Sequence, residues 1–140
     1  MRTDKYKVLL VDDSADDRFF QRIILERSQN FVVVGEASDG QEAMDYLQRA
    51  NDCPDLVLLD LKMPGKNGFD VLQWVQDSNL KKLTIAVMSG SWLAEDIAKS
   101  FALGAHTYFK KSSLRSDQDQ MIVALEKLLG ERQNVASHDL

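Results

Sequence analysis

Residues 55–70 read DLVLLDLKMPGKNGFD, in which four apolar residues, 56–59, run straight into a carboxylate, Asp60, and then into a loop holding Pro64, Gly65 and Gly68. A short continuous apolar run closed by turn residues marks a strand covered on both faces, as in a parallel sheet. A charge at the end of such a strand is costly unless it is used. Taken alone, Asp60 needs no more than a turn or a helix cap to explain it.

Four more runs have strand character: KVLLV at 7–11, FVVV at 31–34, LTIAVM at 83–88 and the weaker HTYF at 106–109. Between them the apolar residues take helical spacing, as in Phe19/Ile23, Phe20/Ile24, Ala43/Met44/Leu47 and Leu93/Ile97/Phe101. A last helical segment carries Met121, Ile122, Leu125, Leu128 and Leu129. Ser14 with Asp17, and Asp39 with Glu42, have the spacing of capping pairs, although Asp is not the preferred partner of the first. Gly130 stands where the last helix is expected to stop. Strand and helix thus alternate five times. Short connections and right-handed crossovers turn that alternation into an α/β fold, a doubly wound five-stranded parallel sheet with five helices. The folded unit is expected over residues 5–130, with a polar, frayed tail at 131–140 (ERQNVASHDL) and no internal repeat or linker.

The 140 residues are 44% apolar, enough for one domain with one core. The net charge of −5, with both signs interspersed, argues against a nucleic-acid or anionic-membrane surface. Cys53 is the only cysteine, so neither an internal disulfide nor a multi-thiolate metal site can form. No apolar stretch has the length of a signal peptide core or a membrane span. A soluble, cytoplasmic protein is expected.

In doubly wound sheets ligands bind beyond the carboxyl ends of the strands. There the apolar runs lead to Asp12-Asp13, to Asp60, to Ser89-Gly90 and to Lys110-Lys111. The conjunction is harder to explain away than any one member. Two carboxylates about 4 Å apart repel by roughly 4 kcal/mol at an effective dielectric near 20. Three must raise a pKa, open to solvent or recruit cations. Lys111 is one cation. A hard divalent ion with oxygen ligands, Mg²⁺ or Mn²⁺, suits the remainder. His106 and His138 are isolated residues, expected not to be ligands, and no His/Cys group favours zinc.

VDD at 11–13, LLDLKMPGKNGF at 58–69, VMSG at 87–90 and GAHTYFKK at 104–111 together make the sequence similar to the receiver domain of bacterial two-component response regulators. The resemblance covers Lys5 to Gly130 and includes the spacing between the blocks. It implies a flavodoxin-like strand order, 2-1-3-4-5. It also implies that Asp60 accepts a phosphoryl group from a phosphohistidine on a sensor histidine kinase, without the protein being an enzyme in the ordinary sense. By the same resemblance Asp13 binds Mg²⁺ directly and Asp12 through water, with the backbone carbonyl of Lys62 as a third ligand. Lys111 would pair with the phosphoryl oxygens and Ser89 would give them its hydroxyl. Movement of Ser89 would let Tyr108 turn inward, changing the face made by the fourth helix, fifth strand and fifth helix. Trp92 would then either report on the site or simply pack at the start of the fourth helix. The family's implied partners are a kinase, here of phytochrome or hybrid type, and a downstream protein or phosphate relay. A stand-alone receiver without an attached output domain is expected, as a monomer or a homodimer.

The sequence departs from the family pattern in two places: Ser112 follows the site lysine where proline is usual, and Ser89-Gly90 replaces the commoner Thr-Ala. Lys62 lies where the family tunes the phosphoryl lifetime, and with Ser91 it is expected to set that lifetime here. Competing classes fit less well. A Mg²⁺-dependent phosphohydrolase would want an acid at Lys62, and a flavin carrier would not want the acidic DDSADD loop. A phosphate-independent interaction module of the same fold is the main alternative.

Overall fold

The computed structural model describes residues 4–49, 51 and 53–138, with side chains up to residue 133. The elements are β1 (Tyr6–Val11), α1 (Ala15–Arg27), β2 (Phe31–Ala37), α2 (Gly40–Arg49) and β3 (Leu56–Leu59), then α3 (Gly68–Asp77), β4 (Thr84–Ser89), α4 (Ala94–Ala102), β5 (Thr107–Lys110) and α5 (Arg115–His138). The strands form one sheet in the order β2-β1-β3-β4-β5, and every pairing is parallel. The alternation expected from the sequence is therefore the observed one, with edges shifted by one to three residues.

Period-two alternation sorts the strand side chains into two cores. Val8, Leu10, Leu56, Leu58, Ala86 and Met88 pack with Ile24 and Leu25 of α1 and Met121, Ile122, Leu125 and Leu129 of α5. Leu9, Val11, Val57, Leu59, Ile85 and Val87 pack with Ala43, Met44 and Leu47 of α2 and Val71, Leu72 and Val75 of α3. All four residues of β3 are buried, which is why that strand reads as an unbroken apolar run.

Two helices turn a different face inward than their apolar spacing suggests. In α1, Phe19, Phe20 and Ile23 are exposed, and the two phenylalanines lie edge to face at 5.7 Å. The buried positions are Gln21, Ile24 and Leu25. In α4, Leu93 and Phe101 are exposed, while Asp96 and Ser100 are buried. In α1 the inward stripe mixes Gln21 with the apolar Ile24 and Leu25, and in α4 it is polar. Hydrophobic spacing therefore finds Ile24 but misplaces Phe19, Phe20, Ile23 and Phe101.

The last helix does not stop at Gly130 but runs on to His138. A helical glycine costs about 1 kcal/mol relative to alanine, and tertiary contacts on either side offset it. Leu129 is buried against the sheet, and Arg132 donates from Nε to Thr84 Oγ1 (2.6 Å) and from a terminal nitrogen to the Lys81 carbonyl (2.9 Å). No helix among the described residues is long and apolar enough to cross a membrane.

Candidate functional site

The ladder hydrogen bonds continue one residue past the strands and so place the acids. Asp60 N–H donates to the Val11 carbonyl (2.9 Å), and Asp12 N–H to the Ala37 carbonyl (3.0 Å). Asp12 and Asp60 thus leave β1 and β3 side by side, at the point where the chain reverses its direction of winding. That crevice is the usual ligand site of the architecture. On the other flank Ser89 pairs with Lys110, and Lys111 N–H donates to the Ser89 carbonyl (2.9 Å).

Carboxylate oxygens of Asp12, Asp13 and Asp60 lie within 4.8 Å of one another. Asp12 is fully buried, Asp60 is 5% exposed, and Asp13 faces solvent. Lys111 Nζ reaches three of the acids, at 2.8 Å from Asp12, 2.8 Å from Asp17 and 3.5 Å from Asp60. Burial opposes the charge of Lys111, but hydrogen bonds to Asp12 and Asp17 outweigh it and hold the ammonium above its ordinary pKa. Asp60 moves the other way. Burial drives its pKa up to about 6, the repulsion of Asp12 and Asp13 adds to this, and Lys111 and the Lys62 backbone N–H oppose it. Four carboxylates face one ammonium here, so negative charge is in excess.

The donor set fits a hard divalent cation: it is all oxygen, and no histidine or cysteine belongs to the cluster. Asp12 has little left to offer directly. Its Oδ1 accepts from Ser14 N–H (3.0 Å), and its Oδ2 takes Lys111 and the amide of Gln21 (3.3 Å). The exposed Asp13 is not so committed. His106 stands at the other end of the sheet, where its Nδ1 accepts from Ile85 N–H (3.0 Å). The side chain of His138 is outside the described residues.

The loop after Asp60 is shaped by two glycines. Gly65 takes a left-handed φ of 68°, which a side chain would resist. Gly68 opens α3 against the backbone of Asp60, and a Cβ there would meet the Asp60 carbonyl oxygen at 2.4 Å. Replacing Gly68 by alanine is expected to destabilise the fold by about 2–3 kcal/mol. Urea unfolding checks this, and a loss below experimental error would show that the loop yields freely. Asn67 and Asp70 close a reciprocal capping box beside it, a signal present in the sequence but overshadowed by the acidic motif.

Ser89 is fully buried, and its hydroxyl accepts from Ser91 N–H (3.1 Å). Tyr108 donates to the Ser91 carbonyl (2.7 Å), and its ring lies 5.8 Å from that of Trp92. Trp92 is 57% exposed, so it flanks Tyr108 rather than anchoring α4. All peptide bonds among the described residues are trans, including Lys111–Ser112. Ser112 instead starts α5: its hydroxyl donates to Asp117 (2.7 Å) and accepts from Leu114 N–H (3.1 Å).

Three polar residues of this neighbourhood were not singled out for it by sequence. Asp17, read only as a poor capping partner of Ser14, spends its carboxylate on Lys111; Ser14 still caps α1 through Asp17 N–H (3.1 Å). Gln21 lies four residues on, one helical turn further along the same inward face, and its Oε1 is the one buried side-chain polar atom without a partner among the described residues. Asp96 on α4 accepts from the Ser91 hydroxyl (2.7 Å) and pairs with Lys62 (3.3 Å). The Ser91 hydroxyl chiefly, with Lys62 assisting against the cost of burial, keeps Asp96 below the usual carboxylate range. An i,i+4 count from Asp17 would have found Gln21; no local signal marks Asp96.

An acid cluster with one bridging lysine at the switch point of a 2-1-3-4-5 sheet defines a class, and comparison agrees. The chain belongs to the response regulator receiver domain family, whose model matches residues 8–126. It is 32% identical over 126 residues to the response regulator Rcp1 of Synechocystis, covering 85% of each chain. It is 38% identical over 95 residues to a protein-glutamate methylesterase/protein-glutamine glutaminase of Geobacter metallireducens, but spans 26% of that protein's length. Among solved structures, the phosphorylated cyanobacterial phytochrome response regulator RcpA superposes with a TM-score of 0.73 at 34% identity, over 89% of this chain and 94% of that one. The Mn²⁺-bound form of Rcp1 gives 0.73 at 30% identity, over 86% and 91%.

Proposed function

We propose that this chain is a phosphoacceptor switch in which Asp60 takes a phosphoryl group from the phosphohistidine of a sensor kinase. The observation that carries the reading is the packing of three carboxylates within 4.8 Å against one lysine at the mouth of the sheet. In the transfer an Asp60 oxygen bonds to phosphorus, the P–N bond breaks, and its electron pair stays on the imidazole nitrogen. Such transfer needs in-line positioning and charge neutralisation more than covalent machinery. A divalent cation, Mg²⁺ or Mn²⁺, held by Asp13, Asp60, Asp12 through water and the Lys62 carbonyl, would supply part of that neutralisation. The Mn²⁺ form of the related Rcp1 supports the choice of ion. Lys111 stands ready to exchange its contact with Asp60 for the incoming oxygens. The Ser89 hydroxyl, which now accepts from Ser91, keeps its own proton to donate.

A move of Ser89 pulls on Ser91 and so on Tyr108, which places the output on α4, β5 and α5. α4 is suited to shift because it meets the sheet through Asp96 and Ser100 and not through an apolar stripe. The likeness to RcpA favours a phytochrome-type kinase as donor, and we read the protein as a cytoplasmic signalling domain without substrate turnover.

Incubation with acetyl phosphate, with and without Mg²⁺, tests this. The expected product is a Mg²⁺-dependent adduct that disappears in Asp60→Asn. Continuous release of phosphate would instead indicate a hydrolase, and no reaction an inert interaction module. A second expected outcome concerns Trp92. Beryllofluoride with Mg²⁺ should change its emission, and the change should be lost in Trp92→Phe and strongly reduced in Tyr108→Phe. An undiminished response in Tyr108→Phe would remove Tyr108 from the switch.

A further inference from the structure

Lys62 and Ser91 sit two residues beyond Asp60 and Ser89, on the loops that leave the adjacent strands β3 and β4. One carboxylate gathers both. Asp96 Oδ2 accepts from the Ser91 hydroxyl at 2.7 Å and lies 3.3 Å from Lys62 Nζ. Asp96 is itself tied down, since its backbone carbonyl accepts from the buried Ser100 hydroxyl (2.8 Å). It is 8% exposed, whereas the Lys62 side chain is 61% exposed. The fixed member of the pair is therefore the acid, and the mobile member is the lysine.

Lys62 is already coupled to the acceptor: it lies two residues beyond Asp60, and its backbone N–H lowers the pKa of the Asp60 carboxyl against the effect of burial. A lysine at this distance from a phosphorylated aspartate has two anions to choose from. We infer that Asp96 is a positioning residue that holds the Lys62 ammonium away from phosphorylated Asp60, and so leaves the phosphoryl group open to water. The inference rests on the proposed function. In hydrolysis a water oxygen bonds to phosphorus, the bond to the Asp60 oxygen breaks, and the carboxylate leaves while the proton goes to phosphate. A released Lys62 would pair with the phosphoryl oxygens, neutralise them and crowd the approach of water. Removing the charge at Asp96 therefore lengthens the lifetime, and only while Lys62 is present. Because the pair is half exposed, its loss should scarcely alter stability.

The experiment compares wild type, Asp96→Asn, Lys62→Met and the double variant after phosphorylation and removal of the donor. Asp96→Asn should lengthen the half-life by about threefold, the kinetic equivalent of one exposed charge pair. The double variant should decay like Lys62→Met. Carbon NMR of the Lys62 side chain in metal-free, unphosphorylated protein gives an independent readout, with a shift expected between wild type and Asp96→Asn. Equal or shorter half-lives in Asp96→Asn, an extension that persists without Lys62, or an unmoved Lys62 resonance would each overturn the inference. A wild-type chain that takes no phosphoryl group overturns the proposed function and the inference together. Equal lifetimes on phosphorylated chains overturn the inference alone.

Discussion

Asp60→Asn will abolish phosphoryl uptake and, in metal-free protein near about pH 7.5, will raise the unfolding free energy by about 2 kcal/mol. Burial is the main cause: it lifts the Asp60 pKa to about 6, with Asp12 and Asp13 adding to it against Lys111. A carboxyl whose pKa is higher folded than unfolded prefers to be protonated in the fold, so ionisation works against folding. Below about pH 4 both states carry the proton and no penalty exists. The penalty grows between about pH 4 and 6, as the unfolded chain ionises first, and is complete above that range. A shift near two units corresponds to roughly 3 kcal/mol, and solvent at the open mouth of the site trims it to about 2. The gain in Asp60→Asn should therefore vanish near about pH 4. It should also shrink in wild-type comparison when Mg²⁺ is added, because the ion binds only the folded chain. Urea unfolding with chelator at the two pH values checks this. Equal stability of the two proteins at neutral pH would show that the acids do not oppose one another.

Lys111→Met should have the opposite sign and a larger size, a loss of about 3–5 kcal/mol at neutral pH. Lys111 is the only cation described as contacting the Asp12 side chain, which is fully buried, and it also reaches Asp17 and Asp60. Removing it strands a buried charge. Methionine keeps the length and apolar body of the lysine stem, so the loss is electrostatic rather than steric. Two recoveries follow from that origin: acidification, which protonates the stranded carboxylates, and the second substitution Asp12→Asn, which removes the most buried of them. Thermal unfolding of the single and double variants is the measurement. A loss that Asp12→Asn fails to relieve would place the role of Lys111 in packing.

The acidic site was legible because its members each follow a strand, and strands are the elements that local apolar runs reveal best. Asp12, Asp13, Asp60, Ser89 and Lys111 come from four strand ends, and parallel pairing in the 2-1-3-4-5 order brings those ends to one edge. The helices were harder to read. Phe19 with Ile23, and Leu93 with Phe101, have the spacing of a core stripe yet lie outside, since the polar Gln21, Asp96 and Ser100 take inward positions. The stop expected at Gly130 failed for a related reason. Arg132 finds its acceptors on Thr84 and Lys81, nearly fifty residues away in sequence, and no local preference encodes that.

Short-range chemistry in the chain settled the number, order and type of the elements, and with them which residues crowd the edge of the sheet. Contacts between elements distant in sequence settled the rest: which face α1 and α4 turn inward, that Asp17 holds Lys111, and that Asp96 binds Lys62 and Ser91 together. Periodicity can show that a side chain sits on a particular stripe of a helix. Only the packed fold shows what charge waits opposite that stripe, and the strength of a charge pair depends on that separation and on how far water is excluded.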